Sequence, residues 1–585
     1  MATLRILIVA DDDSGFQRST NASHKSHLGE FVKVLQETDW QGFDIELVKA
    51  HRGANTGPSK GADIYNFRFT NTSLADFDMA FYFSFDTIFD SGLTTDVERR
   101  QEAAAIATFM EAGKGYFAAG DHEDIGAAIN QHVPRVRSMR RWAFSAASPY
   151  GIGIAPSAMG ADRHDTLQAG SDSGSNGGTT FPYQFNDQSD DTPQPIRVNY
   201  YPLWSSRFFH SSMPHPLLCS PMGRIDVLPD HMHEGWCEVP SDLSQEENLP
   251  GRASKKEYPL DQHGNPFPPE VIADGTVLAH STLNQEFGTS ISPMTSHKPF
   301  GVIGAYDGHQ VGIGRCVVDS TWHHFVNINL IGTESTFAGI NTNKTKGFYT
   351  GPGDTPTPAY QKIMHYYRNL VYWLIPANRG NLIIKQLATA IYRHPHAEVF
   401  RGGLYQRENF QRFRLWEIIG FAQLAEDYFK QVRGSCAVLQ LLPIILYPIW
   451  RFDPRIWEEL LPEINPWDIA VTKLTEKFQP FDPRHIDFVP GTKLRRQVIL
   501  GTLAWAVKFT VNADEELTEK HVDNIQSTFQ QLIPYGLQIA AKTLAEGLQA
   551  SAVIHKGLVE LSEQLSKYSS AQSPATSACA PEPAK

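Results

Sequence analysis

Leu4–Ala10 is an apolar run, interrupted only by Arg5, that stops abruptly at Asp11-Asp12-Asp13, and this constrains the fold more than any other feature of the chain. A run of that length suits a strand buried on both faces, which needs a layer of helices above and below it. Apolar residues then recur at Leu28, Phe31, Val32 and Leu35 with helical spacing. Phe43–Val48 and Met79–Phe85 read as further strands, Val97–Ala112 as a helix, and Lys114–Ala119 as a strand broken by Gly120-Asp121-His122-Glu123. Strands alternating with helices predict parallel pairing through right-handed crossovers, with ligands bound beyond the carboxyl ends of the strands. The expected fold class is α/β, with a doubly wound, flavodoxin-like, mostly parallel sheet.

Two stretches interrupt the alternation. Residues 160–195 are rich in Gly, Ser and Asp, and residues 240–299 in Pro and charge, so both read as long surface insertions. Between and after them, Arg197–Tyr201, Arg224–Val227, Phe300–Tyr306 and Arg315–Asp319 have strand character, and Tyr360–Leu374 is a helix ending before Pro376. An α/β domain over 1–378 follows. Residues 381–568 carry helical spacing, for example at Leu415–Phe429, Leu494–Lys508 and Ile539–Lys567, and are expected to form a helical domain that offers a surface for a protein partner or self-association. The low-complexity stretch 569–585 reads as a disordered tail.

Bulk properties exclude several classes. The formal charge of −13 disfavours broad capture of nucleic acid or anionic membrane. The longest later apolar run, Cys436–Trp450, holds Pro443 and Pro448 and is short for a membrane span, and the first strand does not have the form of a signal peptide. Five cysteines without CxxC spacing suggest reduced thiols and a cytoplasmic location.

Three segments combine histidine with carboxylates: Asp121-His122-Glu123, Asp230-His231-Met232-His233-Glu234, and Asp319 through His324. Imidazole and carboxylate together suit a divalent transition metal such as zinc, manganese, iron or nickel. His231 and His233 share a face if extended, and on a strand only one of the neighbours His323 and His324 would enter a given pocket. The expected ligands are therefore His122, His231, His233 and His323, with Asp121, Glu123 or Glu234 as general base. Structural hydrogen bonding by buried histidines is the alternative. Arg135, Arg137 and Arg140 offer bidentate contacts to an anionic group, against the alternative of a solvated helix face. Trp322 could wall a substrate or simply pack. Asp11, Asp12 and Asp13 suit either Mg²⁺ or the cap of the next helix. No Gly-rich loop follows the first strand, so no nucleotide cofactor is expected.

The order of elements through Ala104–Glu111 into Gly113-Lys114-Gly115-Tyr116-Phe117-Ala118-Ala119-Gly120 resembles the class I glutamine amidotransferase-like superfamily, and its ThuA-like branch in particular. That resemblance implies a nucleophile elbow after the strand and a histidine after a later strand. Here the elbow reads Gly120-Asp121-His122 and the later position Trp322-His323-His324, so the nucleophilic cysteine is absent and Cys-dependent glutamine hydrolysis is not expected. The whole chain also resembles a bacterial group with GDHE, PRVRSMR, DHMHEG and DSTWHHF-type segments, a resemblance that supplies no reaction. The leading expectation is a metal-dependent hydrolase for a small polar or anionic substrate, with metal-activated water as nucleophile. A noncatalytic carbohydrate- or ligand-binding protein and an interaction scaffold with a relic α/β domain are the two alternatives.

Overall fold

The computed structural model describes most of residues 3–379, apart from 41–42, 54–59, 88–94, 122–124, 143–192, 206–209, 230–236 and several short stretches between 262 and 354; beyond 379 it describes chiefly 413–432, 491–510 and 527–540. Nine strands form one sheet: β1 (Thr3–Ala10), β2 (Asp44–His51), β3 (Met79–Phe83), β4 (Gly115–Ala119), β5 (Gln194–Val198), β6 (Val227–Leu228), β7 (Glu270–Gly275), β8 (Phe300–Tyr306) and β9 (Cys316–Asp319). Their order is β6-β5-β7-β8-β9-β4-β3-β1-β2. The half from β2 to β9 is parallel throughout, and from β9 to β6 every pairing is antiparallel.

Alternation of side chains along β1 explains the layering. Leu4, Ile6, Ile8 and Ala10 enter one apolar core, shared with Phe31 of α1 (Gly29–Glu37) and Tyr366, Tyr367 and Leu370 of α6 (Pro358–Leu374). Leu7 and Val9 enter the opposite core with Ala103, Ile106, Ala107 and Met110 of α2 (Asp96–Glu111). Thr95 and Glu98 close a reciprocal capping box at the start of α2, and Thr357 with Pro358 starts α6. Three short helices, α3 (Ala127–Asn130), α4 (Val136–Met139) and α5 (Asn327–Leu330), follow the strand ends. Further along, α7 (Leu415–Val432) and α8 (Gly491–Thr510) pack against each other, with the backbone of Gly501 against Ile418.

Three expectations need correction. The stretch 240–299 is not only a surface insertion: it supplies β7, a strand in the interior of the sheet, whose Ile272 and Ala273 are fully buried. The short strand expected at Arg224–Val227 falls at Val227–Leu228, where it is the antiparallel edge strand β6. Among the cysteines, Cys237 and Cys316 are buried free thiols, but Cys219 is disulfide-bonded, against the expectation of reduced thiols throughout. Among the described residues no helix is long and apolar enough to cross a membrane.

Candidate functional site

Parallel pairing brings the ends of β1, β2, β3, β4 and β9 to one edge of the sheet, and each continues into polar residues there. The layer beneath that edge is organised by Arg52, which is fully buried. Its guanidinium donates to Glu102 at 2.8 Å, to the Tyr82 hydroxyl at 2.5 Å and to Asp86 at 3.4 Å. Tyr82 and Ser84 donate to Asp11 at 2.7 and 3.2 Å, and the Phe85 amide reaches its other oxygen. Burial opposes the charge on Arg52, but Tyr82, Glu102, Asp86 and Asp11 outweigh it and hold its pKa above the usual value. Asp11 is thus spent on tying β1 to β3.

Closer to the edge, Asp121 follows β4 and His323 follows β9. Gly120 lies so near Ile125 and Trp142 that a Cβ would come within 2.7 Å of both, so the turn presenting Asp121 requires glycine. Thr321 donates to Asp121 Oδ1 at 3.1 Å, and its hydroxyl accepts the His323 amide at 3.0 Å. The His323 ring is held from both ends: Nδ1 lies 2.9 Å from Asn329 Oδ1, and Nε2 lies 3.5 Å from Asp121 Oδ2. Because Asn329 Oδ1 only accepts, Nδ1 carries a proton, and in the neutral ring Nε2 directs its lone pair toward the carboxylate. Both side chains are buried.

The neighbouring His324 has a parallel arrangement. Its Nδ1 lies 2.7 Å from Asp319 Oδ1, and the Tyr366 hydroxyl donates to Asp319 Oδ2 at 2.7 Å. The alternation argument for this pair does not hold, since both histidines sit on a 3₁₀ turn (Trp322–His324) and not on a strand. Each imidazole instead has its own partner for Nδ1. Asn329 and Tyr366 were invisible in the sequence, because neither stands in a motif with the histidine or carboxylate it touches.

The arginine run serves the interior. Arg137 donates to Glu257 Oε2 through Nε at 2.9 Å and Nη2 at 2.8 Å, and Arg135 contacts the same residue through its amide and Nη1. Arg135 also sits at φ 71°, a strained conformation for a residue with a side chain. Arg140 grips the Ser320 carbonyl at 2.7 and 3.0 Å and the Asp121 carbonyl, which fixes the ends of β4 and β9 together. All three are buried, so the anion clamp expected from their spacing is replaced by internal anchoring. Trp322 stacks on Phe85 at 4.4 Å and lies 4.1 Å from the His323 ring, which packs the turn.

His122, Glu123, His231, His233 and Glu234 lie outside the described residues. Among the described residues no group of three or more His, Cys, Asp or Glu side chains is arranged to hold a metal ion. The segment that carries His231 and His233 ends at Cys237, which is bridged to both Arg140 and Gly301 beside the site. Compared with protein-family models, curated proteins and solved structures, the chain has no significant match.

Proposed function

We propose that the chain is a hydrolase for a small polar or anionic substrate, and that Asp121 and His323 belong to a divalent transition-metal site at the carboxyl edge of the sheet. The observation that carries this is the separation of Asp121 Oδ2 and His323 Nε2, 3.5 Å with the imidazole proton committed to Asn329. Two ligands at ordinary zinc distances of about 2.1 Å and 3.5 Å from each other subtend roughly 115° at the metal, close to tetrahedral. An acceptor at Nδ1 that fixes the ring and its tautomer is what a metal-ligating imidazole needs. The donor set therefore fits, and Asp121 moves from general base to ligand.

Chain connectivity brings in the remaining candidates. His122 follows Asp121 directly, and His233 lies four residues of chain from Cys237, no more than about 14 Å between Cα atoms. His122, His231 and His233 would complete the ligand set, with Glu123 or Glu234 as base. Such a metal supplies a water acidified toward neutral pH. The chain's own part is to hold the geometry: Asn329 orients His323, Thr321 orients Asp121, and Arg140 locks the backbone beneath them. The strand order β2-β1-β3-β4-β9 supports the flavodoxin-like reading, in which ligands collect beyond the carboxyl ends. Packing of α7 on α8 supports a helical unit after the sheet domain. Trp322, engaged by Phe85 and His323, favours packing over a sugar-stacking wall.

Elemental analysis of the full chain tests this reading. The expected result is about one transition metal per chain, as purified or after addition of zinc, manganese, iron or nickel, and its loss in His323→Ala and Asp121→Asn. Absence of binding of all four by the unmodified chain overturns the metal site.

A further inference from the structure

The loop after β1 is closed by two buried imidazoles that the hydrolase reading does not use. His51 Nε2 lies 3.1 Å from the Asp12 carbonyl and 3.0 Å from the Ser14 carbonyl, while its Nδ1 accepts the Gly53 amide at 2.9 Å. His27 Nδ1 accepts the Gln17 amide at 3.3 Å. In each ring Nδ1 is thus an acceptor from a backbone N–H, and adding a proton there turns that bond into a donor–donor contact. Gly15 lies so close that a Cβ would sit 2.7 Å from the His27 ring, so the loop backbone is pressed against the imidazole.

The surrounding charges oppose protonation. The described groups facing His27 are the His24 ring at 4.7 Å, Lys60, His51 and the Asp13 carbonyl; those facing His51 are Asp11, Lys60 and the carbonyls already named. Burial, reinforced by His24, Lys60 and His51, pushes the His27 pKa down to about 3. Burial also lowers that of His51, with Asp11 opposing the shift.

The same segment is stitched to the turn that carries Asn329. The amides of Asn327 and Ile328 donate to the carbonyls of His27 and Lys25 at 2.8 and 2.9 Å. The Asn327 side chain donates to the carbonyls of Gln17 and His24 and accepts the Glu30 amide. Residues 11–28 therefore hold the start of α5, and α5 holds the residue that orients His323.

We propose that residues 11–28 form an acid-released latch, closed while His27 and His51 are neutral, whose opening frees α5 and withdraws Asn329 from His323. Its consequence for activity rests on the hydrolase reading, but the latch itself does not. In the open state both imidazoles regain a pKa near 6.5, so His27 alone multiplies the opening constant by about 30 at pH 5, and His51 adds to it in the same direction. At pH 7.5 the factor is close to one.

Hydrogen exchange of the full chain at pH 7.5 and 5.0, corrected for intrinsic rates, tests the latch without metal or substrate. The expected result is an increase in opening of at least about 30-fold across 14–28 and 327–331, with β3 and β4 unchanged. His51→Gln and His27→Asn keep neutral donor and acceptor positions; His27→Asn should remove a factor of about 30 from the pH effect, His51→Gln should reduce it, and together they should abolish it. The single variants keep the test decisive if the double variant does not fold. A wild-type change below about threefold, or an undiminished pH effect in the single variants, overturns the proposal. A chain that binds none of zinc, manganese, iron or nickel yet shows this exchange pattern would sink the hydrolase reading and leave the latch standing.

Discussion

Arg52→Met removes the cation that pairs with Asp11, Asp86 and Glu102, all buried, while keeping an unbranched side chain. The lost bonds include a charge-assisted contact to Glu102 at 2.8 Å and the contact to Tyr82 at 2.5 Å. What dominates is the charge left behind: stranding buried carboxylates by deleting their partner costs about 3–5 kcal/mol. The sign of the pH dependence identifies the cause. Without Arg52 the carboxylate pKa values in the folded state rise above their unfolded values, so the folded state takes up protons and the deficit shrinks as pH falls. Urea unfolding of wild type and variant at pH 8 and pH 5, with effects common to both cancelling in the difference, is the assay. A deficit below about 1 kcal/mol at pH 8, or one of the same size at pH 5, would refute the view of Arg52 as a charge keystone.

Other expectations follow from the same contacts. Asn329→Ala should weaken metal binding about 10- to 100-fold with little change in urea midpoint, and an unchanged metal titration would remove Asn329 as the positioning group. Glu257→Gln should destabilise the fold by about 3–5 kcal/mol, because Arg135 and Arg137 lose their carboxylate; a midpoint within error of wild type would return those arginines to the substrate. A Cβ at Gly314 would meet the Lys114 carbonyl at 1.8 Å, so Gly314→Ala should fail to accumulate as folded protein, and normal thermal unfolding would contradict the packing. In an experimental structure, His231 and His323 side chains more than roughly 15 Å apart would exclude a single metal centre containing both.

The parts of the fold legible in the sequence are those where local pattern and burial agree. β1, β3, β4 and β8 are near-continuous apolar runs because they are covered on both faces, α2 shows apolar residues on one side, and α6 stops before Pro376. β7 escaped because its neighbours are Pro-rich and charged, and its place in the sheet depends on pairing with β5, far away in the chain, as well as with β8. At the site, the strand-end rule located Asp121 and His323, whereas the fate of the arginines hinged on Glu257, about a hundred and twenty residues later. A charged run near a pocket reads the same whether it greets a ligand or a buried glutamate.

β9 joins the parallel and antiparallel halves of the sheet, pairing with β4 on one side and β8 on the other. During synthesis, β4 has no partner on that side until Cys316–Asp319 emerges, and residues 120–315 must be made first. At about 5–20 residues per second the wait is on the order of 10–40 s. Through that interval the nascent chain displays an apolar edge, Tyr116 to Ala119, open to pairing with other chains. Fragments ending before β9 should therefore aggregate, and the full chain should lean on holding chaperones while it is made.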